Sequence, residues 1–596
     1  MTEKEINWDL SEMFSGYNDP KIQDMMQSLS KEADQYVTEY KGKIGTKNFN
    51  VEDLNILFKK FEDYSAGADE LQLFSINSFN ANMTLPETQA LNNKYREFQT
   101  EISKKLAFID LEIGKYVYEN KEIISNTTLA NYRHHLETIY REFPHKLSEI
   151  EEQIILEKDQ HGVRAWSQLQ GAWLNTREFK VNVEGEEKIL SYGEANNLFT
   201  HPDRSTRISA NKSIYGLLGK DEEIFTSALR NICADWFKIS KRRKYDSPMH
   251  ASLIGNDTTQ EIIDSLIQTV EENVGVYQRY LKIKAKLLDL PKLTCADVVA
   301  PLLNVPHKKY AWKEIKEQVI KAFSRFDESF VEYAKDMFEK NHIDASTRKG
   351  KRNGAYCAGW YKGKTAFVLL SFGGALRHAY TLTHELGHAV HEYLASRNQT
   401  YINIYYGSTV AETASTFGEL LMTDLLLEKA ETKEEKMAII AHVLDEAGQA
   451  AFQVSARIWF EQSLYNAIDK GEHLDGKTIS KYWCAGRDKI YGDAVEWFEE
   501  MDWEWTMKQH YYMPNRRFYN YPYVYAQLFV YALYQTYKKE GKSFVPKFKK
   551  LLSSGGSVSP EELGKIVGLD ITKPDFWKLG IKQYEDFVNQ LENLIK

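Results

Sequence analysis

Apolar residues recur at three- and four-residue intervals along most of this chain, the spacing of amphipathic helices. Between Asp19 and about Asn175 the repeat runs through 22–41, 51–79, 87–119 and 129–157, with Pro20, Pro86 and Pro144 at the joints. That pattern predicts antiparallel helices joined by short turns, without the fixed period of a solenoid. Two places depart from it. Phe179 to Val183 alternates apolar and polar before Glu184-Gly185-Glu186, which predicts a β-hairpin. Residues 356–372 predict two more strands around Tyr361-Lys362-Gly363-Lys364, closed by Gly373-Gly374. A proline-rich loop is expected from Pro291 to Pro306, and helices are expected at 376–395 and 408–427, the latter capped by Ser408. The fold class is therefore mainly α with a small sheet. The division expected along the chain is an N-terminal helical domain, 1–195, and a second domain, 196–596.

Composition narrows the class. With 27% charged and 43% hydrophobic residues the chain reads as soluble and globular. A formal charge of −9 argues against nucleic acid as the main partner, and the basic run Lys241-Arg242-Arg243-Lys244 reads as a solvated helix end. Four widely spaced cysteines, Cys233, Cys295, Cys357 and Cys484, suit free thiols in a reducing compartment. The charged N-terminus and the lack of a long apolar run point to the cytoplasm and away from the membrane. The 36 tyrosines suit a wet internal cavity or the interfaces between subdomains.

The chemistry concentrates at His384-Glu385-Leu386-Gly387-His388. Histidines at i and i+4 share one side of a helix and can fill two corners of a zinc tetrahedron. Glu385, beside them, can take a proton from a water that the metal acidifies. A catalytic zinc needs a third protein ligand. Glu412 follows on the next helix, where a carboxylate in apolar surroundings needs a partner. Glu419, two turns further on, is placed to orient a histidine ring. His391 is a further candidate, more often a hydrogen-bonded neighbour than a ligand. Gly363-Lys364-Thr365 is not the end of a phosphate loop, because the motif's first glycine falls on Ala358.

His384-Glu385-x-x-His388-x-x-His391, followed by Glu412-x-x-Ser415 and Glu419, resembles the M3 family of zinc metallopeptidases, in its oligoendopeptidase F form. Trp8-Asp9-Leu10 and Tyr245-Asp246-Ser247-Pro248 resemble that group too. The resemblance implies a two-lobed helical body enclosing a deep substrate channel, one zinc ion per chain, and cleavage of internal bonds in short peptides. It implies His384, His388 and Glu412 as ligands and Glu385 as general base and acid, with 196–596 as the catalytic domain. It also implies that a histidine followed by tyrosines contacts the substrate and stabilises the oxyanion. His510 and Tyr519 match that outline, with Tyr521 and Tyr523 beside them.

For substrate binding, the strand containing Phe367 is expected to offer its edge to an extended peptide, with the backbone at Gly354 exposed nearby. Two other readings stay open: a zinc carboxypeptidase of similar helical fold, and a peptide-binding protein whose metal is structural. The second predicts a fourth protein ligand such as His391. Oligomeric state is open.

Overall fold

Helices begin where the sequence supplies a cap. Asp19 accepts from the Lys21 amide ahead of helix Pro20–Tyr40. Asn50 and Asp53 exchange side-chain and backbone hydrogen bonds at the start of Val51–Ala81, and Pro86 opens Pro86–Glu119. The expected helix over 129–157 is instead broken: Arg133–Glu142 ends before a short turn at Phe143–His145, where Pro144 sits, and Glu149–His161 starts afresh on a Ser148 cap.

The computed structural model describes residues 6–302 and 309–596. Of the expectations above, part of the charged N-terminus (1–5) and the end of the loop at Pro306 (303–306) lie outside the described residues. Helix accounts for 72% of the chain, and the sheets are small. Among the described residues no helix is long and apolar enough to cross a membrane.

The chain forms two compact units, each assembled from three stretches. The first contains Met1–Pro144, His307–Lys429 and Thr536–Asp570; the second contains His145–Pro306, Ala430–Gln535 and Ile571–Lys596. Compactness thus groups residues differently from a linear division near 195, because a helix packs on whichever apolar face is nearest in space.

In the first unit, Leu54, Leu57, Phe58, Ile109 and Val117 form a core that Trp360 and Phe367 of a three-stranded sheet complete. Thr365–Leu369 is the middle strand, parallel to Ile343–Asp344 and antiparallel to Tyr356–Trp360, with Ala358 opposite Phe367. A buried ion pair fixes the sheet's approach. Lys351 Nζ lies 2.7 Å from Asp344 Oδ1 and also donates to the carbonyls of Asp344, Ser346 and Leu370. Losing one member of such a pair costs about 3–5 kcal/mol.

The second unit carries the expected hairpin, Phe179–Val183 with Glu186–Leu190. Asp297, fully buried, holds the guanidinium groups of Arg204 and Arg207 at 2.8 and 3.0 Å. The basic run ends helix Glu222–Arg242, and the charges of Lys241, Arg242 and Arg243 are met by Asp469, Glu151 and Glu152.

Candidate metal centre

Two helices of the first unit build the site. Leu376–Asn398 carries His384, Glu385 and His388, running three residues past its expected end because no breaker precedes Gln399. The helix expected over 408–427 is interrupted: Ser408–Ala411 stops at Glu412 (φ −84°, ψ 10°), and Thr413–Lys429 begins beyond it. Gly407, one residue before the expected Ser408, occupies the cap position. Glu412 therefore sits at a break in the helix.

Gly387 sets the distance between these helices. A Cβ there would lie 2.5 Å from the Ala414 carbonyl oxygen and 2.5 Å from Ser415 Cα, so only glycine permits this backbone approach.

Three donors converge as a result. His384 Nε2 and His388 Nε2 are 3.2 Å apart, and each lies near Glu412 Oε2, at 3.2 and 3.3 Å. A tetrahedron with ~2.0–2.1 Å metal–ligand bonds has edges of ~3.3–3.4 Å, so this triangle is close to one of its faces. His384 Nδ1 faces Glu419 Oε1 at 3.0 Å, which leaves Nε2 to the centre. Ser415 Oγ donates to Glu412 Oε2 at 2.7 Å.

The electrostatics favour positive charge at this point. Burial works to lower the His384 pKa, but Glu419 and Glu412 outweigh it and hold the pKa well above the usual imidazole value. Burial works to raise the Glu412 pKa, yet the two histidines hold it far below the ordinary carboxylate range. Two imidazoles and a carboxylate at contact distance fit a divalent cation.

Glu385 is 5% exposed and its Oε2 has no hydrogen-bond partner among the described residues. Burial raises its pKa. It lines a cavity of about 330 Å³ together with the three donors, Glu392, Tyr406, Ala355 and the strand residues Tyr356 and Cys357.

The other expected residues divide. His391 is not among the converging donors: its ring is buried and stacks on Tyr406 at 4.1 Å, so the fourth-ligand arrangement is not formed. Gly354 is exposed, with φ +88°, two residues before strand Tyr356–Trp360.

Phe367 is corrected. Its side chain is 0% exposed and packs on Trp8, His342 and Trp360, in the strand paired on both sides. The free edge belongs to Tyr356–Trp360, because the two-residue strand Ile343–Asp344 takes the other side. Tyr521 is also corrected. It is buried, and its hydroxyl donates to the Ser252 carbonyl at 2.9 Å.

His510, Tyr519 and Tyr523 do assemble within the second unit. Their rings lie 5.1 Å (His510–Tyr519), 6.4 Å (His510–Tyr523) and 5.6 Å (Tyr519–Tyr523) apart, and Tyr523 is 41% exposed.

Sequence reasoning missed Glu392 and Tyr406, whose hydroxyl donates to Glu392 Oε1 at 3.1 Å. The signal for Glu392 was available, since it continues the four-residue spacing of His384 and His388. Tyr406, in a loop, carried none.

The comparisons agree with this geometry. The sequence model of Peptidase family M3 matches residues 198–582, and that of Oligopeptidase F matches 119–176. Oligopeptidase PepF of Bacillus subtilis is 27% identical over 512 residues, covering 85% of this chain and 76% of its own. The chromosomal oligoendopeptidase F of Lactococcus lactis subsp. cremoris is 26% identical over 601 residues, covering 99% and 97%. Among solved structures, oligoendopeptidase-F from Enterococcus faecium superposes with a TM-score of 0.68 at 21% identity, covering 97% of this chain and 99% of its own. A chain from Chlamydophila abortus reaches 0.87 at 21% identity, covering 99% and 98%. At such identity a structural likeness speaks of fold alone, but the family match spans well over half the sequence. The chain is a member of peptidase family M3, of the oligoendopeptidase F type, and a metallo-oligopeptidase.

Proposed function

We propose that the protein is a zinc-dependent endopeptidase that hydrolyses internal bonds of short oligopeptides, with one zinc ion per chain and 196–596 as the catalytic segment. The observation that carries this reading is the near-tetrahedral triangle of His384 Nε2, His388 Nε2 and Glu412 Oε2 beside a buried, unpartnered Glu385. Its donor set, two imidazoles and one carboxylate, suits zinc. The M3 match over 198–582 supports the catalytic segment. Four free cysteines support a reducing compartment such as the cytoplasm.

His384, His388 and Glu412 hold the metal, while Glu419 fixes the His384 ring and Ser415 steadies Glu412. When bound, zinc supplies a Lewis acid that polarises the scissile carbonyl and acidifies water. Glu385 takes the proton of the attacking water on its free Oε2 and returns it to the departing amine. Its burial, which raises the pKa, suits a group that must both accept and release a proton near neutrality.

An extended substrate pairs its main chain with the open edge of Tyr356–Trp360, which ends in the same cavity, and exposed Gly354 leaves room for its approach. His510 and Tyr519 donate to the developing oxyanion, and Tyr523 contacts substrate.

The deciding experiment is a length ladder of quenched peptides digested by wild type and by Glu385→Gln, with products read by mass spectrometry. The variant is expected to keep its metal and lose at least about 10³-fold in turnover. Full turnover by the variant would sink the assignment of Glu385. A C-terminal amide that stops cleavage would favour a carboxypeptidase.

A further inference from the structure

A second cavity, of about 190 Å³, lies within the second unit, and no residue given a role above lines it. Arg457, Trp483, Tyr491, Glu504 and Lys508 contribute to its wall, with Tyr215 from helix Arg204–Lys220.

Its charges do not balance. Lys508 Nζ is paired with Glu504 Oε1 at 2.6 Å. Arg487 meets Asp488 at 3.1 Å and Asp502 at 3.3 Å, and its guanidinium lies over the Trp497 ring. Arg457 is different. It is half-buried, and among the described residues no carboxylate lies within ion-pair distance and its guanidinium makes no hydrogen bond; the Tyr511 hydroxyl donates to its backbone carbonyl. Neighbours feel that charge: after burial, Arg457 contributes most to holding His510 below the usual imidazole pKa.

A guanidinium that lines a cavity with no protein acceptor can exchange water for the charge-assisted hydrogen bonds of a bound anion. One uncompensated positive charge calls for a monoanion, which disfavours phosphate. A wall of Tyr215, Tyr491, Trp483 and Trp497 calls for an organic group beside the charge. Drug-sized ligand pockets run to about 300–1,000 Å³, so this smaller space suits a molecule the size of one or two amino acids.

We propose that the cavity is a carboxylate site in which Arg457 grips the α-carboxylate of a free amino acid or the C-terminus of a short peptide, with the aromatic wall around the adjoining side chain. Neither the metal nor the peptidase reaction enters this inference.

Calorimetric titration of the metal-loaded full chain tests it, with N-acetyl-leucine and its amide as probes. The acid is expected to bind at least about tenfold more tightly than the amide, the scale of one charge-assisted contact. Arg457→Met should bring the acid down to the level of the amide, whereas His388→Ala should leave it unchanged. Arg457→Lys, which keeps the charge but loses the fork, should fall between. Equal binding of acid and amide overturns the proposal. So does loss of acid binding in His388→Ala with retention in Arg457→Met, which would put the ligand at the metal centre. If Arg457→Met does not fold, the wild-type comparison and Arg457→Lys still decide. N-acetyl-alanyl-alanyl-leucine separates the two sources: tighter binding than N-acetyl-leucine indicates a peptide C-terminus, weaker binding a free amino acid.

Discussion

The metal centre and the stretch from His510 to Tyr525 are positioned by opposite means. At the metal centre two helices touch backbone to backbone through Gly387, so the ligands inherit the rigidity of main-chain contact. Residues 510–520 are largely irregular, and buried charge pins them. Arg517 donates to the Tyr511 carbonyl at 2.8 Å, and Glu461 accepts from the Phe518 amide at 2.9 Å. Phe518 takes a positive φ of 51° in the process. Regular structure turns residue spacing into geometry, whereas an irregular segment places each side chain by contacts distant in sequence.

The same contrast appears in what the tyrosines do. Tyr511, Tyr512, Tyr521 and Tyr525 are 0–1% exposed, and the Tyr511 and Tyr521 hydroxyls go to the Arg457 and Ser252 carbonyls. Only Tyr519 and Tyr523 in this stretch keep accessible rings, beside His510. Tyrosine there is mainly a large apolar residue that fills the core, with a carbonyl taking the hydroxyl at Tyr511 and Tyr521.

Substitutions can break this comparison. The largest loss, at least about 10³-fold in turnover, is expected for Glu385→Gln with metal content unchanged by elemental analysis. Next come His510→Ala and Tyr519→Phe, each expected to lower kcat about 10²–10³-fold without a change in melting temperature, as for loss of an oxyanion donor. If Tyr521→Phe lowered kcat as much, the division between packing and accessible tyrosines would fail. It is expected instead to cost about 1 kcal/mol in urea denaturation, the worth of its bond to Ser252, with kcat intact.

Gly387→Ala sharpens the other side. Its Cβ meets backbone, which cannot yield as a side chain can, so about 1–3 kcal/mol of stability should go, with weaker metal retention under chelator challenge.

A further effect is expected in acid. Burial lowers His391 to about 3 and His135 to about 4 in the folded first unit, against ~6.5 when unfolded. Between those values the unfolded chain binds more protons, so stability should fall as pH drops below ~6.5, by up to about 2 kcal/mol per histidine at pH 5. Urea melts at pH 7 and pH 5 should show that loss reduced in His391→Gln.

Much of this protein was determined by its sequence alone. Amphipathic periodicity, prolines and capping residues are local, so the long helices, the hairpin and the strand pair were legible. The four-residue spacing of His384 and His388 put both rings on one side of a helix for the same reason. Tertiary structure decided what depends on partners far along the chain. The two-residue strand Ile343–Asp344 makes Thr365–Leu369 the middle of its sheet, which buries Phe367 and leaves the edge to Tyr356–Trp360. The break at Glu412 and the stacking of His391 on Tyr406 carry no local signal. Nor does the isolation of Arg457, since whether a charge finds a partner depends on which distant segments pack around it. Spacing along a helix is set by covalent geometry, while edges, partners and burial are set by how helices and strands fill space together.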